Sequence, residues 1–201
     1  VKPQTFKDAA LAAGPHLGGA LHLSVAAGIT SESMASWLGT QRIVRAMPNT
    51  PALVGLGMTG LFARDGASAD DRALIEAVVK TTGELVWVAT ERDLDAVTAL
   101  SGSGPAYVFY FLEAMRDAGA RMGLPPETAL QLAIGTFVGA STLAQRSTEP
   151  PQLLRERVTS KGGTTYAALT AMEAAGMKAS FEVALKAAQL RAEELGREFG
   201  K

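Results

Sequence analysis

The sequence has 201 residues, of which 47% are hydrophobic and 19% charged, a composition typical of a folded globular protein rather than a disordered chain. The formal net charge of -1 gives no basic field that would attract nucleic acid and no acidic field that would attract a cationic partner. The absence of cysteine excludes disulfides, thiolate metal sites and a cysteine nucleophile, and it fits a reducing compartment.

The first residues do not resemble a signal peptide, because no basic head precedes an apolar core. A helix-like run begins almost at once, at Thr5, and extends to Ala13. From this abrupt start we expect that an upstream element is missing and that these residues are a piece of a longer protein.

Strand and helix signals then alternate as far as residue 88. Short apolar runs predict strands at residues 21–26, 42–47, 58–63 and 85–88. Hydroxyl caps predict a helix that begins at Thr30 or Ser31 and stops at Gly39, and another that begins at Ser68 and stops at Gly83. This alternation predicts part of an α/β domain whose sheet is covered on both faces.

Beyond residue 92 the chain reads as all-α, so we predict one domain over residues 1–92 and a second over residues 93–201. Prolines, glycines and hydroxyls predict helices at residues 105–122, 126–145, 151 onward, 164 or 165 onward, and 178–197. Residues 128–145 carry no formal charge, but polar side chains interrupt them, so a helix buried between subunits fits better than a membrane span. The last helix carries one apolar stripe, formed by Phe181, Ala184, Leu185, Ala188, Ala192, Leu195 and Phe199.

Two segments near the predicted domain boundary could bind a ligand or serve only as turns. Residues 46–51 follow a predicted strand, at the kind of strand end where open α/β sheets bind ligands, and Asn49 and Thr50 can donate and accept hydrogen bonds. A rigid turn held by two prolines is the simpler interpretation of this segment alone. Residues 100–105 read LSGSGP before a long helix, which suits either a backbone that approaches a ligand closely or a domain hinge.

The third segment, TSKGGTTY at residues 159–166, also leads into a helix. Paired glycines followed by hydroxyls at a helix start favour an anion site, because free N–H groups and the positive end of the helix dipole point the same way. An ordinary helix capped by Thr164 or Thr165 is the alternative, but a cap needs no paired glycines. Lys161 precedes the glycines, so the segment is not a phosphate-binding Walker A loop.

The chain offers no convincing metal site. Its only histidines, His16 and His22, are poor metal partners across a Gly-Gly pair, and both lie far from the serine-glycine segment at residues 101–104. The segment does not match the G-x-S-x-G pattern either, so a serine hydrolase is a weak interpretation.

Taken together, the three segments resemble pyrroline-5-carboxylate reductase, in the family's order and spacing. The matching strings are VKP at residues 1–3, MPNTP at 47–51, DAVT at 95–98, LSGSGPAY at 100–107, MGLP at 122–125 and VTSKGGTT at 158–165. The resemblance covers essentially the whole chain. It implies a Rossmann nucleotide-binding domain followed by a helical dimerisation domain. It also implies a cytoplasmic oxidoreductase that reduces 1-pyrroline-5-carboxylate to L-proline with NADPH or NADH. This reaction is the last step of proline biosynthesis.

The resemblance also implies residue roles and an assembly. The expected cofactor-binding residues are Val1, Lys2, Pro3, Asn49, Ser103 and Gly104. The expected substrate-binding residues are Ser160, Gly162, Gly163, Thr164 and Thr165, with Thr165 catalytic through a hydrogen bond to the ring nitrogen. No metal, nucleic acid or membrane is expected, and the expected partner is a second copy in a homodimer, with further assembly of five dimers into a decamer.

Two features depart from the family pattern, and two alternatives stay open. Lys161 stands where the family usually has proline, and the G-x-G-x-x-G segment that binds the pyrophosphate is absent. A truncated helical-dimer module without activity would explain the missing segment. A related imine or 3-hydroxyacid reductase would need a lysine or histidine on the helix at residues 105–122, where the bases are Arg116 and Arg121.

Overall fold

The computed structural model describes Val1 and residues 3–199, and the chain divides into two compact units. One unit contains Val1–Pro105 together with the chain from Ala184 onward, and the other contains Ala106–Val183. The domain boundary between residues 92 and 93 stays a prediction.

The first unit is built on a four-stranded mixed sheet. Its strands are β1 (His22–Ser24), β2 (Ile43–Met47), β3 (Gly57–Ala63) and β4 (Gly83–Trp87), which lie in this order across the sheet. The pairs β1–β2 and β3–β4 are parallel, whereas β2 and β3 are antiparallel. Only a short 3-10 turn, Thr50–Val54, joins β2 to β3. A parallel pair would need a crossover of roughly a dozen residues or more, so this short connection makes β3 antiparallel.

Helices cover both faces of this sheet, as the sequence predicts. The unit contains α1 (Pro3–Ala13), a 3-10 turn (Gly14–His16), α2 (Ser31–Leu38), α3 (Ala69–Val79), α4 (Asp93–Val97) and a π-helical turn (Thr98–Gly102). Successive residues of β2 pack on opposite faces of the sheet. On one face Val44 packs with Leu61 and Ile75, and on the other Ile43 packs with Met34 of α2. The sequence did not predict α4 or the π-helical turn.

The predicted helix caps of the first unit are confirmed, with one correction. Thr30 accepts a hydrogen bond from the N–H of Ser33 at 3.1 Å, and Ser68 forms a reciprocal capping box with Asp71. Gly83 does not end α3, because the hydroxyls of Thr81 and Thr82 bind the last carbonyls of that helix. Gly83 instead begins β4, with a φ of 144° and its Cα so close to Gly57 that a Cβ would overlap the neighbouring backbone.

The remaining helices are α5 (Gly104–Arg121), α6 (Pro126–Arg146), α7 (Pro151–Arg157), α8 (Thr164–Ala174) and α9 (Met177–Phe199). Within the described residues no strand follows Trp87, as predicted. In the second unit α5 and α6 pack so closely that a Cβ on Gly119 would lie 2.6 Å from the Cβ of Ala129. Among the described helices, none is long and apolar enough to cross a membrane.

Candidate functional site

Asn49 lies just beyond the carboxyl end of β2, and protein groups surround its side-chain amide. Its Oδ1 accepts a hydrogen bond from the N–H of Met58 at 2.9 Å, at the beginning of β3. Its Nδ2 lies 3.3 Å from the carbonyl oxygen and 3.2 Å from the hydroxyl oxygen of Ser101. The structure therefore joins two of the three predicted segments, which are far apart in sequence.

The second segment passes from the π-helical turn directly into α5. The N–H of Ser103 donates to the carbonyl of Thr98 at 2.8 Å and closes the turn, and Gly104 is the first residue of α5. Neither Gly102 nor Gly104 has a positive φ, and a Cβ on Gly104 would meet no heavy atom within 4 Å. Neither the backbone conformation nor the packing of this chain requires glycine at position 104, so the backbone there is left open to a ligand.

The surface formed near Asn49, Ser103 and Gly104 fits the nicotinamide end of a dinucleotide. β1 and β2 are parallel, so their carboxyl ends lie at the same edge of the sheet, where open α/β sheets bind ligands. The uncovered backbone of Gly104 begins an 18-residue helix, whose first N–H groups have no partner within that helix. A G-x-G-x-x-G segment for the pyrophosphate does not occur in this sequence.

The predicted cofactor residues at the beginning of the chain lie beside β1. Val1 lines a cleft of about 400 Å³ together with Phe6, Leu23 and Ser24. Pro3 is the first residue of α1, and Lys2 lies outside the described residues. Asn49 is not among the residues that line this cleft.

The third segment forms an open helix start in the second unit. Gly162 has a φ of 75°, and the N–H of Gly163 donates to the carbonyl of Ser160 at 3.0 Å, which turns the chain into α8. Gly163 itself is the N-cap and supplies no side chain, so the alternative of a helix capped by Thr164 or Thr165 is wrong. Both threonines already belong to the helix.

Several donors are consequently available at the beginning of α8. The first intrahelical bond runs from the N–H of Ala167 to the carbonyl of Gly163, which leaves the N–H groups of Thr164, Thr165 and Tyr166 without a backbone acceptor in the described chain. Among the described residues, the Thr165 hydroxyl also has no hydrogen-bond partner. The Thr165 side chain is only partly exposed. Lys161 is exposed and forms no ion pair with any described carboxylate. Such a cluster of donors suits a carboxylate.

A buried charged network, which the sequence did not predict, supports the first unit. Arg45 in the middle of β2 is only 8% exposed, and its Nη1 lies 2.7 Å from Oε1 of Glu91. The same carboxylate accepts from the N–H and the hydroxyl of Ser31 at the beginning of α2. Burial raises the pKa of the nearby Asp95 carboxyl, and Arg45 partly offsets that effect. A lone arginine within the apolar run IVRAM was the only sequence signal of this network.

The uncovered backbone of Gly104 suits the approach of a nicotinamide ring, and the unpaired donors at the beginning of α8 suit an anionic substrate, which together indicate a nicotinamide-dependent reductase. Residues 91–195 match the family described as pyrroline-5-carboxylate reductase dimerisation. The chain therefore belongs to the pyrroline-5-carboxylate reductase family, with a partial Rossmann domain followed by a helical dimerisation domain.

Individual relatives agree with this assignment. The chain is 44% identical to the pyrroline-5-carboxylate reductase of Pseudomonas aeruginosa, over 100% of this chain and 74% of that protein. It is 41% identical to the Pisum sativum enzyme of the same name, over 97% and 71% of the two chains.

Solved structures show the same likeness. The reductase from Coxiella burnetii has a TM-score of 0.92 at 40% identity, and the match covers 97% of this chain and 73% of that one. The Plasmodium falciparum pyrroline carboxylate reductase, solved with NADP bound, has a TM-score of 0.89 at 31% identity, over 98% and 79% of the two chains.

Proposed function

We propose that the protein reduces 1-pyrroline-5-carboxylate to L-proline with NADPH or NADH as the hydride donor. Family membership supports the reaction, and one observation in this chain supports it most directly. The N-terminus of α8 has no side-chain cap, and it presents backbone N–H groups beside a free threonine hydroxyl. The substrate carries the two groups that such a site would bind, a carboxylate and a ring nitrogen.

In this proposal the α8 segment holds the substrate. The proposed carboxylate-binding residues are Ser160, Gly162, Gly163 and Thr164, of which Gly163 contributes the shape of the turn, because its N–H already donates to the carbonyl of Ser160. The positive end of the α8 dipole adds to this attraction. Thr165, one residue into the helix, forms a hydrogen bond with the ring nitrogen through its hydroxyl.

The sheet unit holds the nicotinamide end of the cofactor. The proposed contact residues are Val1, Lys2, Pro3, Asn49, Ser103 and Gly104. The open space at the Gly104 Cα supports this assignment, because a flat ring can approach the backbone only where no side chain projects. When bound, the cofactor supplies the hydride, and the protein residues supply position and hydrogen bonds.

The protein groups have a limited task in this reaction. The imine carbon gains one hydride and the nitrogen gains one proton, so the carbon–nitrogen double bond becomes a single bond. The carboxylate contacts fix the carbon next to the ring nitrogen, and the Thr165 hydroxyl orients that nitrogen, so that the imine carbon on its other side faces the hydride donor. Donors that are already in place cost little reorganisation when charge shifts during the reaction.

The assembly and the location are also proposals. Exposed apolar side chains on α6, namely Leu132, Ile134, Val138 and Leu143, support a subunit interface in the helical domain. We propose a homodimer that assembles further into a ring of five dimers, and a cytoplasmic location in line with the resemblance. Light scattering after size exclusion separates dimer from decamer.

The test is NADPH oxidation at 340 nm with pyrroline-5-carboxylate, using the complete protein that contains this chain and the 201-residue chain in parallel. Thr165→Ala should lower kcat/KM roughly 10- to 100-fold, since a hydrogen bond to a charged group is worth about 1.5–3 kcal/mol. Thr165→Ser, which keeps the hydroxyl, should recover most of the activity.

Thr170→Ala is the matched control in the same helix, because the Thr170 hydroxyl only donates to the carbonyl of Tyr166. Equal losses in the Thr165 and Thr170 variants would contradict the role of Thr165. A complete protein that folds but leaves NADPH unchanged would contradict the reductase function.

A further inference from the structure

The side-chain amide of Asn49 is bonded to this chain through both its nitrogen and its oxygen. A primary amide has two N–H donors and one carbonyl acceptor. The two oxygens within reach of Nδ2, at 3.3 Å and 3.2 Å, both belong to Ser101, and Oδ1 accepts from the N–H of Met58 at 2.9 Å. A cofactor would have to displace one of these bonds to receive a hydrogen bond from the Asn49 amide.

Ser101 occupies a sensitive place in the backbone. It lies in the π-helical turn Thr98–Gly102, and such turns are rare and often occur at functional sites. Ser103 closes this turn and Gly104 follows it as the first residue of α5. A small displacement of Ser101 would therefore move the backbone of both predicted cofactor residues.

The end of β2 supports the turn at a second point. A Cβ on Gly102 would lie 3.6 Å from the sulfur of Met47, so this methionine packs against the turn. Met47 holds the turn by van der Waals packing, whereas Asn49 holds it by hydrogen bonds. Together they fix the turn to the sheet.

We propose that Asn49 is a positioning residue and not a cofactor ligand. Its amide joins the beginning of β3 to the π-helical turn and thereby sets where Ser103 and Gly104 lie at the edge of the sheet. This inference rests on the proposed function for its catalytic consequence, and it replaces the direct cofactor contact assigned to Asn49 above with an indirect role through Ser103 and Gly104.

Amide hydrogen exchange in the 201-residue chain tests the positioning role without any need for turnover. Asn49→Asp keeps an Oδ1 acceptor for the Met58 N–H but has no N–H to give to Ser101. The Met58 amide should therefore exchange as in the wild type, while the Ser103 amide should exchange about 3- to 10-fold faster, the range expected for loss of a typical hydrogen bond. Asn49→Ala should raise exchange at both amides. Unchanged exchange at Ser103 in both variants would overturn the inference.

Kinetics of the complete protein separates positioning from direct contact with the cofactor. A positioning role predicts that Asn49→Asp lowers kcat about 10-fold or more, with the KM for NADPH within about 3-fold of the wild type. Ser101→Ala should add less than its own separate effect to the loss in Asn49→Asp, because the two side chains are in contact and both hold the turn to the beginning of β3. A large rise in the KM for NADPH with additive effects would make Asn49 a ligand and overturn the inference.

The two proposals can fail separately. A wild-type protein without turnover contradicts the reductase function, and the exchange experiment then still decides whether Asn49 holds the turn. The sequence contains a single asparagine, so selective ¹⁵N labelling gives one side-chain amide signal that reports this contact directly. Ser101→Ala should shift that signal, and an unchanged signal would count against the contact.

Discussion

The turns that precede α5 and α8 have similar composition, but the first is held by hydrogen bonds to the sheet and the second is exposed. Before α5, a serine-glycine turn is tied to the sheet by Asn49 and closed by the bond from Ser103 to Thr98. Before α8, a serine-glycine turn has a left-handed Gly162, no side-chain cap and mostly exposed residues. We call these the anchored turn (residues 98–104) and the open turn (residues 159–165).

This difference suggests two ways to prepare a binding site. The anchored turn is positioned by tertiary contacts before any ligand arrives, as precise placement of a reactive ring requires. The open turn leaves its donors unpaired, so that a ligand carboxylate can satisfy them. Substitutions should accordingly affect stability at the supports of the anchored turn and affect substrate affinity at the open turn.

The largest effect on stability should come from Gly60→Ala. A Cβ at this position of β3 would lie 2.6 Å from Cγ1 of Val97, at the end of the helix that leads into the anchored turn. Overpacking of this kind costs about 1–3 kcal/mol, which chemical denaturation of the chain measures.

Gly104→Ala is the matched control, because its Cβ would have no heavy atom of the described residues within 4 Å outside its immediate neighbours. It should change the free energy of unfolding by less than about 0.5 kcal/mol, yet it should lower reductase activity by filling the space proposed for the cofactor. Equal destabilisation by the two substitutions would contradict the distinction between support and binding surface.

The next effect concerns the open turn. Gly163→Asp places a carboxylate at the N-cap, where it can accept from the free N–H groups of α8 in place of the substrate. The free energy of unfolding should change by a few tenths of a kcal/mol only, while the KM for pyrroline-5-carboxylate should rise roughly 10-fold or more.

Gly163→Ala provides the control for this experiment. It adds the same Cβ, which would lie 3.2 Å from the carbonyl oxygen of Ser160, but no competing charge. Similar KM values for the two variants would show that steric crowding, and not anion competition, explains the change.

The smallest effect on stability should come from a substitution of Asp95, which lies in α4, the helix that directly precedes the anchored turn. Burial raises the pKa of this carboxyl in the folded protein, so the folded state binds a proton more readily than the unfolded state. Stability from this group is therefore greatest at low pH and falls as the pH rises from the ordinary aspartate range through the raised pKa.

Asp95→Asn removes this titration. The variant should be slightly more stable than the wild type at pH 7, and the difference should shrink as the pH falls towards 4, as followed by denaturation at several pH values. A variant that is less stable at pH 7 would show that the attraction to Arg45 outweighs the cost of burial.

The sequence predicts the local architecture well, because the signals are local. Thr30, Gly39 and Ser68 mark helix ends through hydrogen bonds to neighbouring residues, and the structure confirms them. Gly83 was misread because its role depends on Gly57 in the adjacent strand, a contact that no local pattern reveals.

The candidate site is predictable as segments but not as a geometry. The three glycine- and hydroxyl-containing segments stand out in the sequence, and the family resemblance assigns them roles. The contact between Asn49 and Ser101 joins residues 52 positions apart, so neither residue carries a sign of the other. Likewise, the N-cap at Gly163 follows from the backbone path, whereas the sequence offers a cap by Thr164 or Thr165 as the alternative to an anion site.

The most direct test of the reductase function is hydride transfer with a labelled cofactor. The complete protein is incubated with pyrroline-5-carboxylate and NADPH that carries deuterium at the transferable position of the nicotinamide, and the product is analysed by mass spectrometry. The proposed reaction predicts one deuterium per proline, on the ring carbon that formed the imine. Proline without deuterium, or no proline from a folded protein, would contradict it.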